Sequence, residues 1–73
     1  MSSVVDARGL SCPQPVLMTM NEIKKGREKE LVVLVDTETS RENVSRAAAS
    51  QGWTVKDVES RDGEFRLTIW KDR

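Results

Sequence analysis

Apolar and polar positions recur with two different periods along the chain, and the changes of period mark its elements. Ser3 to Asp6, with the β-branched pair Val4-Val5, predicts a short first strand. Ala7 to Cys12 contains Gly9 and reads as a loop, after which Pro13 suits the first position of a helix. Val16, Leu17, Met20 and Ile23 fall at i, i+1, i+4 and i+7 and predict one apolar helical stripe. Lys24 and Lys25 sit in the last turn of that helix, and Gly26 supplies a left-handed cap.

Leu31-Val32-Val33-Leu34-Val35 is short, continuous and rich in β-branching, which predicts a strand buried on both faces. Thr39 and Glu42 match a capping box for a second helix, with an earlier start near Thr37 as the alternative. Val44, Ala47 and Ala48 make a narrow stripe of small residues, Glu42 and Arg46 an i,i+4 pair, and Gly52 the end of the helix. Trp53 to Ser60 reads as a strand in which Val58 falls out of phase with Trp53 and Val55, the mark of a bulge. Asp62-Gly63 is a hairpin signal. Phe65, Leu67 and Ile69 then alternate with Arg66, Thr68 and Trp70. The first three are assigned to the helix side of the sheet and Trp70 to the opposite face.

The order βαβαββ places both helices on one face of the sheet, because crossovers between parallel strands are right-handed. The predicted fold is an α+β two-layer sandwich, a four-stranded sheet with two helices on one face. No Pro-, Gly- or Ser-rich linker divides the chain, so residues 1–73 read as one domain.

Composition narrows the function. At 73 residues the chain is near the lower limit of what folds alone. Twelve basic and 12 acidic residues cancel, which weighs against generic nucleic-acid or anionic-membrane binding. No apolar run has membrane-spanning length, and Met1-Ser2-Ser3 has no signal pattern, so a cytoplasmic location is expected. Lys24, Lys25, Arg27 and Lys29 offer a docking patch for an acidic partner. The interleaved Glu22, Glu28 and Glu30 favour a solvated helix end instead and argue against a nucleic-acid patch. One cysteine and no histidine exclude an internal disulfide, a Cys/His zinc site and a His-based triad, so neither metal nor cofactor is expected.

The candidate chemistry lies at Cys12. Read as an N-cap, with Pro13 at N1, Gln14 at N2 and Pro15 at N3, its sulfur faces a first turn in which two residues have no N–H. The N–H of Gln14 and the positive end of the helix dipole favour the thiolate. Arg8 adds positive charge if the loop folds back. The alternative is a small buried hydrophobe at a loop–helix junction, against which stand the polar neighbours Ser11 and Gln14. A thiolate without histidine lacks a partner to protonate a leaving group, whereas thiol–sulfur exchange needs only a thiolate leaving group. A lone cysteine of this kind suits a group carrier.

Around it, Asp6 reads as a carboxylate accepting backbone N–H bonds from Ala7 to Gly9, with a general-base role as the alternative. Gly9 supplies a positive φ or a close approach. Leu10 is either a core residue or the lip of a docking surface.

The segment Val5-Asp6-Ala7-Arg8-Gly9-Leu10-Ser11-Cys12-Pro13-Gln14-Pro15-Val16-Leu17 resembles the signature of the TusA-like (SirA-like) sulfur-carrier family, Asp-x-x-Gly-Leu-x-Cys-Pro-x-Pro. The resemblance covers essentially the whole chain as a single domain. Glu42 to Arg46 and the Gln51-Gly52-Trp53 junction look more like the N-terminal domain of YedF-type members, which are associated with selenium metabolism. Gln14 stands where TusA itself has Glu, and the second domain of YedF-type members has no counterpart here. The resemblance implies a mixed sheet of order 1-2-4-3 with strand 4 antiparallel. It also implies that Cys12 carries a persulfide from a cysteine desulfurase or rhodanese-like donor to an acceptor protein. Among its members the acceptor serves tRNA thiolation, molybdenum-cofactor chemistry or sulfur oxidation.

Two other functions compete. One is a non-catalytic regulatory or protein-interaction module with a structural cysteine. The other is RNA binding, since the two-layer fold looks like the C-terminal domain of a bacterial translation initiation factor. Zero net charge and three aromatic residues, Trp53, Phe65 and Trp70, weigh against RNA.

Overall fold

Strand β1 (Ser3–Asp6), helix α1 (Gln14–Lys25), strand β2 (Glu30–Val35), helix α2 (Glu38–Ser50) and strands β3 (Trp53–Arg61) and β4 (Glu64–Lys71) follow in that order. They come from a computed structural model that describes residues 3–10, 14–26 and 29–71. The sheet order is β1-β2-β4-β3. β1 runs parallel to β2, and β4 runs antiparallel to both β2 and β3. The order of four strands and two helices is the one the period changes predict, and the mixed sheet with this strand order is the one the resemblance implies.

The core lies between sheet and helices. Val5, Leu31, Val33, Val35, Leu67, Ile69 and Trp53 enter it from the strands, and Val44 and Ala48 enter it from α2. On the open face of β2, Val32 is buried while Leu34 is half-buried.

The buried face of helix α1 is rotated from the expected stripe, of which Val16 and Ile23 pack against the core and Leu17 does not. Its fully buried residues are Pro15 and Thr19, flanked by Val16, Met18 and Ile23 against the core. Leu17 lies outside it and is 49% exposed. At about 100° per residue, position 17 falls roughly 160° around the helix from position 19, so both cannot face the sheet. A threonine can occupy the centre of the buried face because its hydroxyl donates to the Pro15 carbonyl at 2.9 Å.

Helix α2 is capped by Thr37, not Thr39. The Thr37 hydroxyl oxygen accepts the Ser40 N–H at 3.1 Å, with Thr37 itself extended at φ −136° and ψ 152°. β2 ends at Val35, leaving Asp36 as the only residue between strand and cap. The ion pair on α2 among the described residues is Glu38–Arg41 at 3.6 Å, in place of the expected Glu42–Arg46. At the far end Gly52 adopts φ 82°, and its N–H donates to the Ala49 carbonyl.

β3 runs one residue beyond Ser60. Its bulge falls between Val55 and Asp57, so Val55 pairs with Ile69 and Val58 pairs with Leu67. The extra residue, Lys56, restores Val58 to the same face as Trp53 and Val55. Asp62 at φ 52° and Gly63 at φ 78° close the β3–β4 hairpin in the doubly left-handed turn that an Asp-Gly pair favours.

Trp70 lies on the open face of the sheet and is 38% exposed. It stands opposite Glu30 on β2 and Thr54 on β3, diagonal to Val32. Lys56 Nζ sits 5.9 Å from its ring centroid and 3.4 Å from Glu30 Oε2. Trp70→Ala therefore removes partial cover and one exposed cation–π contact, a loss of about 1–2 kcal/mol against about 3–5 for a buried aromatic. Urea denaturation measures it, and a loss in the upper range would place Trp70 in the core.

Candidate functional site

The loop from β1 to α1 is pinned at successive residues. The Ala7 N–H donates to the Leu34 carbonyl at 2.9 Å, which carries the parallel β1–β2 ladder one step past the end of β1. Ala7 is buried there. Arg8 turns back: its N–H donates to Asp6 Oδ1 at 3.2 Å, its Nε to the same oxygen at 2.9 Å, and its Nη2 to Oδ2 at 2.9 Å. This is a two-pronged guanidinium–carboxylate pair. The remaining Nη1 reaches Glu64 Oε1 at 3.3 Å, which ties the loop to the start of β4. Gly9 adopts φ 77°, and its N–H donates to Asp36 Oδ2 at 2.7 Å. Leu10 is exposed rather than part of the core.

Ser11, Cys12 and Pro13 lie outside the described residues, and with them the expected N-cap and first helical position. The described chain resumes at Gln14, exposed at the start of α1, followed by the buried Pro15. Proline fits the first turn because the N–H it lacks would have no partner within the helix.

The frame differs from the sequence reading in the bonds that Asp6 accepts. Asp6 accepts a backbone bond from Arg8, while the N–H groups of Ala7 and Gly9 go to Leu34 and Asp36. The Arg8 guanidinium faces two carboxylates, Asp6 and Glu64, and its expected approach to Cys12 lies outside the described residues. Sequence reasoning passed over Asp36 and Glu64. A carboxylate directly after a buried parallel strand and just before a helix cap was the available signal for Asp36. Glu64 lies 56 positions from Arg8, and no local pattern joins them.

The Arg8 side chain, and then its N–H, stabilise the ionised form of Asp6 and lower its pKa from 3.8 to about 2. The same contacts, with Glu64, hold the Arg8 guanidinium still more firmly protonated. A carboxyl lowered in this way favours the folded loop above its ordinary value, and that contribution is lost as pH falls from 3.8 toward 2. The Asp6 carboxyl carbon followed by NMR should titrate near 2, and in Arg8→Ala it should move up toward 3.8. Titration at the ordinary value in the unsubstituted protein would show that the pair does not persist in solution.

At the opposite end of the sheet a hollow of about 320 Å³ is lined by Ile23, Lys24, Lys29, Gln51, Trp53 and Lys71. Lys25, also in the proposed acidic-partner patch, is paired with Glu22 at 2.8 Å. Arg27 lies outside the described residues. Among the described residues no cluster of three or more Cys, His, Asp or Glu is placed to hold a metal ion. None of their helices is long and apolar enough to cross a membrane.

The family described as "Sulfurtransferase TusA" matches residues 3–71. A protein of Methanocaldococcus jannaschii, named as a candidate sulfur carrier protein, is 37% identical over 68 residues, or 92% of this chain and 91% of its own length. The crystal structure of a SirA-like protein from Desulfitobacterium hafniense superposes with a TM-score of 0.82 at 30% identity. That match covers 93% of this chain and 95% of the other. With the family match spanning nearly every residue and the sheet order as the resemblance implies, the chain belongs to the TusA family.

Proposed function

We propose that this protein is a sulfur carrier in which Cys12 takes persulfide sulfur from a donor protein and passes it to an acceptor protein. The observation that supports this most is the position of the chain's single cysteine. It lies three residues after a glycine pinned by Asp36 and two residues before the start of α1. A thiol tethered to a helix N-terminus is favoured as thiolate.

The transfer balances without a cofactor. The Cys12 thiolate attacks the outer sulfur of the donor persulfide, an S–S bond forms on Cys12, and the donor's S–S bond breaks to release its thiolate. An acceptor nucleophile then attacks that outer sulfur, and the Cys12 thiolate leaves. The transferred sulfur keeps its oxidation state in the exchange between thiols. The chemistry requires a persulfide donor, and the family resemblance points to a cysteine desulfurase or a rhodanese-like protein. A reducing compartment such as the cytoplasm would keep Cys12 available.

Incubation with a cysteine desulfurase and cysteine should add the mass of one sulfur atom to the intact protein, removable by a thiol reductant. A persulfide-loaded rhodanese-like donor provides the second arm. No adduct from either donor would overturn the proposal and favour a non-catalytic interaction module.

A further inference from the structure

We infer that Asp36 is a positioning residue for Cys12, acting through its bond to the Gly9 N–H. The inference rests on the carrier reading for its functional consequence and on the register of the sheet for its geometry.

In the parallel β1–β2 pair, Ser3 stands opposite Leu31 and Asp6 opposite Leu34. Continued past Asp6, this register sets Ala7 opposite Val35 and Gly9 opposite Thr37. In such a ladder each bonded N–H meets the carbonyl of the residue before its partner. Ala7 does so, donating to the Leu34 carbonyl. The next N–H in the series, that of Gly9, would meet the main-chain carbonyl of Asp36. By then β2 has ended and the chain has turned into the Thr37 cap of α2. The Gly9 N–H is received instead by the side chain of the same residue, Asp36 Oδ2, at 2.7 Å. The carboxylate thus extends the ladder by one bond beyond the point where the main chains diverge.

The place of that bond gives it consequence. Gly9 is where the loop adopts φ 77°, and only Leu10 and Ser11 separate it from Cys12. The contact joins residues 27 positions apart, so it couples the thiol-bearing loop to the start of α2. The preceding residue, Arg8, is held by Asp6 and Glu64, but those groups act before the turn. Among the described residues, Asp36 is the side chain that grips the loop at the turn itself. A bond from an N–H to an ionised carboxylate is the stronger kind, which suits a short tether on an exposed loop.

Two substitutions separate the tether from the charge. Asp36→Asn removes the charge and keeps an acceptor oxygen; Asp36→Ala removes both. Three quantities are compared in the two variants: exchange of the Gly9 amide by NMR, the pH midpoint of Cys12 alkylation by iodoacetamide, and the rate of sulfur loading from a desulfurase. In Asp36→Ala the Gly9 amide should exchange faster and the alkylation midpoint should lie above that of Asp36→Asn. Loading at saturating donor should fall about tenfold, the scale of a modest misplacement of a reacting group. Asp36→Asn should recover most of that loss, with melting temperatures recorded to confirm that both variants are folded under assay. Equal Gly9 exchange and equal midpoints in Asn and Ala variants would overturn the inference. Absence of loading in the unsubstituted protein would instead overturn the carrier reading, and the exchange and alkylation arms would still decide the role of Asp36.

Discussion

Cys12→Ser should abolish sulfur loading while leaving the fold intact. A serine hydroxyl terminates a helix at least as well as a thiol, so the substitution preserves any capping role of position 12. It does not preserve the chemistry. The thiolate is the attacking species in sulfur exchange, and a hydroxyl stays protonated at neutral pH and gives no persulfide. On the carrier reading, in which the thiol is accessible, stability should change by no more than about 0.5 kcal/mol. Intact mass after exposure to a loaded donor reads the first outcome, and urea denaturation reads the second. A Ser variant that still gains sulfur would show loading elsewhere. A large stability loss with loading abolished would support the alternative of a structural cysteine. In the unsubstituted protein the alkylation midpoint of Cys12 should fall below about 8.5, the value of an ordinary thiol.

The sheet was legible because its signals are local and redundant. Leu31 to Val35 combines β-branching with brevity, and Asp62-Gly63 names its turn type in two residues. The phase error at Val58 located the bulge, since only an inserted residue reconciles Val58 with Trp53 and Val55. The helices were less legible. Thr37 and Thr39 both offer a hydroxyl near the start of α2, and the choice was made by where β2 stops, with one residue between it and the cap. The stripe of α1 was misplaced because Thr19 sits at its centre. A threonine reads as polar until the Pro15 carbonyl is found within reach of its hydroxyl. The frame of the candidate site was the least legible. Asp6 and Arg8 are neighbours and could be connected by eye, but Gly9–Asp36 and Arg8–Glu64 exist only once the strands are in register. Contacts between sheet ends carry no sequence period.

The largest stability loss should come from Leu67→Ala. Leu67 is 0% exposed in β4, an inner strand that pairs on both sides, opposite Val33 on β2 and Val58 on β3. Truncation there removes buried apolar area and leaves a cavity that the flanking strands cannot close without breaking the register, so the cost should be about 3 kcal/mol, within the range of about 2–5 for such changes. A domain of 73 residues has only about 4–11 kcal/mol in total at the usual stability per residue. The variant therefore keeps a small margin, and its melting temperature should drop by more than 10 °C on a scale of about 4–8 °C per kcal/mol. The neighbouring Thr68→Ala supplies the control. Thr68 is half-buried on the open face of the same strand, so its loss should stay below about 1 kcal/mol. Sulfur loading separates this effect from that of Cys12→Ser. In Leu67→Ala the folded fraction keeps its thiol, so loading per folded molecule should match the unsubstituted protein at low temperature and decline as the variant melts. Similar losses for Leu67→Ala and Thr68→Ala would mean that the two faces of β4 are not distinguished by the helices. Loss of loading at a temperature where Leu67→Ala is fully folded would mean that the central strand acts on the Cys12 loop directly, through the Glu64–Arg8 contact at its start.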